Sequence, residues 1–209
     1  MHRRTILLGT AAALGGCAQN PEGSTANDTT DSGAEPSENG AGEEEYDDAS
    51  FPPADVEAAF IDRYNEMRDE RGLVTVVQDN ILHEMGQAHA ENMAEHDYIG
   101  HVQPDGTTIE DRYRQRGLLS GCELDVPGTN EYYPGAENAA GAAVGPVTHP
   151  GTDKTFYVRD PDSLAEFLMS SWMSSDGHRE VMVLPSVREI GLGTAVRDDG
   201  EIFAALEFC

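Results

Sequence analysis

The 209 residues carry 39 Asp and Glu against 13 Lys and Arg, a formal net charge of −26 at neutral pH. A field of that sign repels nucleic acid and anionic lipid headgroups, so nucleic-acid binding is excluded, and this length has room for one ordinary domain plus extensions. Lys154 is the only lysine and the acidic excess runs through the whole chain, as in proteins that work in concentrated salt, where self-repulsion is screened. Folding is therefore expected to need high salt.

Arg3-Arg4 precedes a modestly apolar run from Thr5 to Gly16 and then Cys17. Arg3-Arg4-Thr5-Ile6-Leu7-Leu8 resembles a twin-arginine export signal, and Leu14-Gly15-Gly16-Cys17 resembles a lipobox, in which the cysteine is alkylated by lipid and becomes the mature N-terminus. Residues 1–17 are thus expected to be a signal segment, too short to span a bilayer. The expected location is extracellular, on the outer face of the cell membrane, with lipid on Cys17 as the membrane partner and about 0.8 kcal/mol of anchoring per buried methylene. From residue 18 to residue 50 there is no Lys or Arg and little but acidic, small and polar residues. Such a stretch cannot offset its ordering entropy by burial and is expected to be a disordered tether, extended by its own charge. Asn27-Asp28-Thr29 within it is an acceptor sequon, making Asn27 a glycosylation candidate.

The folded part is expected over residues 51–209. Val56, Ala59, Phe60, Tyr64 and Met67 recur at helical spacing and predict a first helix ending near Gly72. Asp79 caps a second helix with Leu82, Met85, His89, Met93 and His96 on or near one face, up to Gly100. Thr108 caps a short third helix closed by Gly117. Residues 120–159, rich in Gly, Pro, Thr and Ala, read as loops apart from a segment around Glu137. Asp160-Pro161-Asp162 opens a fourth helix with Leu164, Phe167, Leu168 and Trp172 inward, interrupted at Asp176-Gly177 before His178. Residues 190–196 and 202–206 flank Arg197-Asp198-Asp199-Gly200 and predict a late antiparallel hairpin. Helices followed by a late hairpin point to an α+β or layered α/β/α domain.

With Cys17 assigned to the anchor, Cys122 and Cys209 remain, and an exported compartment permits a disulfide between them. Free thiols or an intermolecular bridge are the alternatives. Closure of an 87-residue loop contributes about 4 to 5 kcal/mol at most in the chain-entropy model.

Tyr64-Asn65-Glu66-Met67-Arg68, Ala88-His89-Ala90-Glu91-Asn92, Gly100-His101-Val102, Gly135-Ala136-Glu137-Asn138, Ser171-Trp172 through Gly177-His178-Arg179, and Ile190-Gly191-Leu192-Gly193 stand in one register. Together they resemble the CAP superfamily, the cysteine-rich secretory, antigen 5 and pathogenesis-related proteins, whose domain is also called SCP. The resemblance covers residues 51–209. It implies a three-layer α-β-α sandwich with a surface cleft lined by two histidines and two glutamates. His101, Glu137 and His178 match three of those positions, and Ser175 stands where the second glutamate belongs.

The binding cleft is therefore expected at His101, Glu137, Ser175 and His178. Two neutral imidazoles suit Zn²⁺ or a similar divalent ion, with His101 and His178 as its ligands, although no cofactor is required. Water on such an ion, with Glu137 as candidate base, would give a hydrolase of extracellular peptides or polymers. Without catalysis, the same cleft is a cell-surface binding module for a lipid, glycan or protein, or a vestige in a structural envelope protein. The chain is expected to be a monomer. His83, His89 and His96 sit on a helix with apolar neighbours and read as structural. Ser174 or Ser175 beside His178 suggests a nucleophile, but no Gly-x-Ser-x-Gly elbow is present. The insertion at residues 142–160, with His149, either shapes specificity or packs over the sheet edge.

Overall fold

The computed structural model describes residues 4–5, 49–149 and 152–209. The lipobox with Cys17, the sequon at Asn27 and the acidic tether lie outside the described residues. Strand β1 (Arg4–Thr5) is followed by α1 (Pro53–Glu70), β2 (Val77–Gln78), α2 (Asn80–His96) and α3 (Ile109–Gln115). Then come β3 (Glu123–Asp125), β4 (Glu131–Pro134), β5 (Ala136–Ala143), β6 (Gly145–Thr148) and β7 (Thr155–Val158). The chain closes with α4 (Pro161–Ser174), α5 (Asp176–Met182), β8 (Glu189–Val196) and β9 (Glu201–Phe208). The fold is α+β, an α-β-α sandwich with a late antiparallel hairpin.

The middle layer is a four-stranded sheet ordered β2-β8-β9-β5, parallel between β2 and β8 and antiparallel elsewhere. Alternation along each strand divides its side chains between two helical layers. Ile190, Leu192, Ile202, Ala204, Leu206 and Phe208 face α1 and α4, joining Phe60, Tyr64, Leu164, Leu168 and Trp172 in one core. On the other face Phe203, Ala205 and Ala139 meet Met93 of α2. Here α2 lies almost in backbone contact with β8. A Cβ at Gly191 would sit 2.0 Å from the amide nitrogen of His83, and one at Gly193 would sit 2.0 Å from that of Gln87.

β2 is only two residues long, and side chains complete the ladder of β8 beyond it. Glu57 Oε1 accepts from the Leu192 amide at 2.8 Å, and His83 Nδ1 lies 3.0 Å from the Leu192 carbonyl. The Gln87 amide group brackets Thr194 at 3.1 and 3.0 Å. An otherwise open sheet edge is thereby closed to further strands. The helix starts follow their capping signals. Asp79 accepts from the amides of Ile81 and Leu82, and Thr108 and Asp160 each form a reciprocal capping box with Asp111 and Ser163.

Three details differ from the sequence reading. Residues 120–159 contain five strands, β3 to β7, rather than loops around one segment. β5 reads Ala-Glu-Asn-Ala-Ala-Gly-Ala-Ala, mostly small residues without the β-branched signature of a strand, and at Gly141 a Cβ would stand 2.3 Å from Ile99 Cδ1. The break between α4 and α5 falls at Ser175, with Asp176 and Gly177 already in the first turn of α5. His96 is exposed at the end of α2, its Nδ1 3.0 Å from the Asn92 carbonyl, and does not share the buried face with His89.

The insertion folds as the β6–β7 hairpin, whose Phe156 packs edge-on against Phe167 of α4. β3 and β4 pair separately, with Leu124 opposite Tyr133, and β1 adds to β4 in parallel. Cys122 and Cys209 form a disulfide that ties the last residue to the loop after α3. Among the described residues no helix is long and apolar enough to cross a membrane.

Candidate functional site

The site straddles the outer edge of β5, the last strand of the sheet. Successive residues of this strand point to opposite faces and hold one element each. Glu137 Oε1 binds His101 Nδ1 at 2.8 Å on the α2 side. Asn138 donates its side-chain amide to the His178 carbonyl at 3.3 Å on the α5 side. The Ala139 carbonyl accepts from Trp172 Nε1 at 3.2 Å. His101 and His178 come from loops and helices 77 positions apart, yet their ring centroids lie 6.4 Å apart. The structure thus brings together His101, Glu137 and His178. Ser175, half-buried at the α4–α5 junction, gives its amide to the Trp172 carbonyl and accepts from the Arg179 amide.

The Glu137 side chain is 0% exposed and both of its oxygens are engaged. Oε1 faces His101, with His89 Nε2 at 3.5 Å, and Oε2 accepts from Arg112 Nη2. Burial pushes its pKa up, but the His101 hydrogen bond, the Arg112 guanidinium and His89 outweigh it and hold the carboxyl at about 2. A carboxylate this weakly basic and this buried orients His101: it accepts the Nδ1 proton and leaves Nε2 as the ring nitrogen it does not engage. Arg112 also donates to the His101 carbonyl at 3.1 Å, fixing backbone and side chain of the same residue. His178 is held neutral, its pKa lowered first by burial and then by His101.

The acid dependence follows from the sign of the Glu137 shift. A depressed carboxyl contributes its full stabilisation above the ordinary value of 4.5 and loses it as the pH falls through about 2. Glu137→Gln is expected to be less stable than the parent at neutral pH, with the gap closing between pH 4.5 and about 2. Urea unfolding at a series of pH values checks this, and a gap that stays constant through that window refutes it.

Three residues of the site escaped the sequence reading as members of it: Arg112, His89 and Glu207. His89 is fully buried on α2, its Nε2 2.8 Å from the Gly100 carbonyl, so it braces the loop that carries His101. Among the described residues no group of three or more His, Cys, Asp and Glu is arranged to hold a metal ion. Away from the cleft, His149 is buried against α4, with its ring 6.3 Å from Phe167 and Nε2 3.1 Å from Ser174 Oγ. Ser174 Oγ also donates to the Ser171 carbonyl at 2.9 Å. Its single proton is then spent within the helix, and the imidazole acts as donor rather than as base.

A family model described as CAP, cysteine-rich secretory protein family, matches residues 61–208. Two solved structures share the fold. An outer surface protein of Borrelia burgdorferi is 17% identical with a TM-score of 0.53, the match covering 74% of this chain and 92% of that one. An extracellular protein of Bacillus anthracis containing an SCP domain is 20% identical with a TM-score of 0.50, over 75% of this chain and only 40% of that one. A comparison with curated proteins found no match.

Proposed function

This chain belongs to the CAP, or cysteine-rich secretory protein, family, and from that premise we propose that it is an exported surface protein whose cleft binds a ligand rather than transforming one. Lipid on Cys17 would hold it at the outer face of the membrane, with residues 18–50 as the spacer. The twin-arginine and lipobox motifs support this, and the two fold relatives, an extracellular protein and an outer surface protein, support export.

The observation that carries the binding reading is the state of Glu137. The cleft's matching carboxylate is buried under His101 and committed to it and to Arg112, and Ser175 supplies no second one. What remains is a pair of imidazoles beside exposed Ile99 and Val102. That surface suits recognition of a ligand and offers no free carboxylate to activate water.

A divalent ion such as Zn²⁺ at this cleft would have His101 and His178 as its protein ligands and would keep open positions for ligand or water. Such an ion would supply Lewis acidity at the cleft. Calorimetric zinc titration of the full chain in concentrated KCl is expected to show one saturable site, lost in a folded His101→Ala/His178→Ala variant, with no turnover of peptide substrates by the loaded protein. Hydrolysis by the zinc-loaded parent would replace the binding reading with the metallohydrolase. Absence of zinc binding by a folded parent would remove the ion and leave lipid, glycan and protein ligands.

A further inference from the structure

Beneath the cleft the sheet register sets two glutamates side by side: Glu137 of β5 pairs with Glu207 of β9. Both side chains are 0% exposed. On its other flank Glu207 stands opposite Gly191 of β8, which has no side chain to offer. From α3, the Arg112 Nε lies 3.9 Å from Glu207 Oε1, too far for a hydrogen bond, while its Nη2 serves Glu137. Neither Glu207 oxygen, nor Arg112 Nε, has a partner within good hydrogen-bond geometry. Tyr113 spends its hydroxyl proton on the carbonyls of Ala136 and Phe208. From α2, His89 faces Glu137, and His101 is bonded to the same carboxylate.

The charge count is decisive. Two carboxyl groups share one guanidinium in a buried region, so ionising both leaves an unpaired buried charge. A buried carboxyl beside an anion takes up a proton instead, and the proton is then a donor for the neighbour. Glu137 holds the ion pair with Arg112 and the bond from His101, which assigns the proton to its partner.

We infer that Glu207 is a second carboxyl of this site, kept as a neutral acid that donates a hydrogen bond to Glu137. It is a positioning residue: with Glu207 neutral, Glu137 is the single anion of the cluster and keeps Oε1 on His101. The carboxyl missing at Ser175 on the rim thus has a counterpart under the floor. Burial, followed by the charge of Glu137, also raises the Glu207 pKa well above the ordinary carboxylate value. The inference concerns the unliganded protein and stands or falls independently of what the cleft binds.

Infrared spectroscopy of the full chain at neutral pH, with and without ¹³C-carboxyl glutamate, tests it. A protonated-acid C=O stretch that shifts with the label marks a glutamic acid, and its loss in Glu207→Gln separates this residue from Glu57, another glutamate whose pKa burial raises. The band is expected in the parent and absent from Glu207→Gln, whose amide preserves the bond to Glu137 and leaves His101 as the Nδ1–H tautomer by ¹⁵N NMR. It is also expected to vanish in Glu137→Gln, because Glu207 then ionises against Arg112. That second variant decides the matter even if the first does not fold. A folded parent without the band, or a band that survives in either folded variant, overturns the assignment.

Discussion

Replacing Gly193 by alanine is expected to destabilise the domain by more than about 3 kcal/mol, a fall in Tm on the order of 10 °C for a domain of this size. The backbone conformation at Gly193 is not what demands glycine. A methyl there would stand 2.0 Å from the Gln87 nitrogen, 2.2 Å from its Cα and 2.2 Å from the Gly86 carbonyl carbon. All three are backbone atoms of α2, so no side chain can turn aside, and the helix itself must lift from the sheet. Lifting it breaks the two hydrogen bonds between Gln87 and Thr194 and loosens Met93 and Ala205 behind them. Gly121→Ala is the control, because a Cβ there meets only the Leu118 carbonyl at 3.8 Å, and it should change stability by no more than about 0.5 kcal/mol. Thermal unfolding in concentrated KCl compares the two, and equal Tm values would refute the close-contact account.

The same close approach explains part of what the sequence concealed. The four principal helices announced themselves through apolar spacing and caps, and the hairpin through the turn at Arg197 to Gly200. Strands β3 to β7 did not: β5 is squeezed between layers and built from Ala, Gly and Asn with one Glu, the vocabulary of loops, while β3, β4, β6 and β7 are only three or four residues long, too short for a clear alternation. β5, which organises the cleft, is the extreme case: it contains no β-branched or aromatic residue at all.

The site was legible in part, and by resemblance rather than by spacing. His101 and His178 are too far apart in sequence for any local motif, and only the fold joins them. Arg112 was hidden in a short helix where an arginine reads as a solvated charge. Glu207 did leave a signal. In Ile202-Phe203-Ala204-Ala205-Leu206-Glu207-Phe208 every other residue is apolar on both faces, so the strand is buried on both sides and its single charge must have a partner inside.

Arg68 is the other position where a single substitution should be severe. Its side chain is 0% exposed and no acidic group among the described residues lies within ion-pair distance. Backbone carbonyls take that place: Nε donates to Val74 at 2.7 Å, Nη1 to Met182 at 3.0 Å, and Nη2 to Leu184 and Val187 at 3.2 Å each. Tyr64 OH lies 3.2 Å from Nη1 and donates to the same Met182 carbonyl at 2.7 Å. One planar fork thus ties α1 to the end of α5 and to the loop leading into β8. Arg68→Ala leaves these buried acceptors without donors and is expected to cost about 3 to 5 kcal/mol. Arg68→Lys should recover only part of that, because an ammonium keeps the charge but not the spread of the guanidinium. α5 also carries His178, so a residual folded fraction of Arg68→Ala should bind zinc more weakly than the parent although the residue is remote from the cleft. Thermal unfolding and calorimetry of the three proteins read both effects. A lysine variant as stable as the parent would show that charge alone, rather than the fork, holds this corner of the fold.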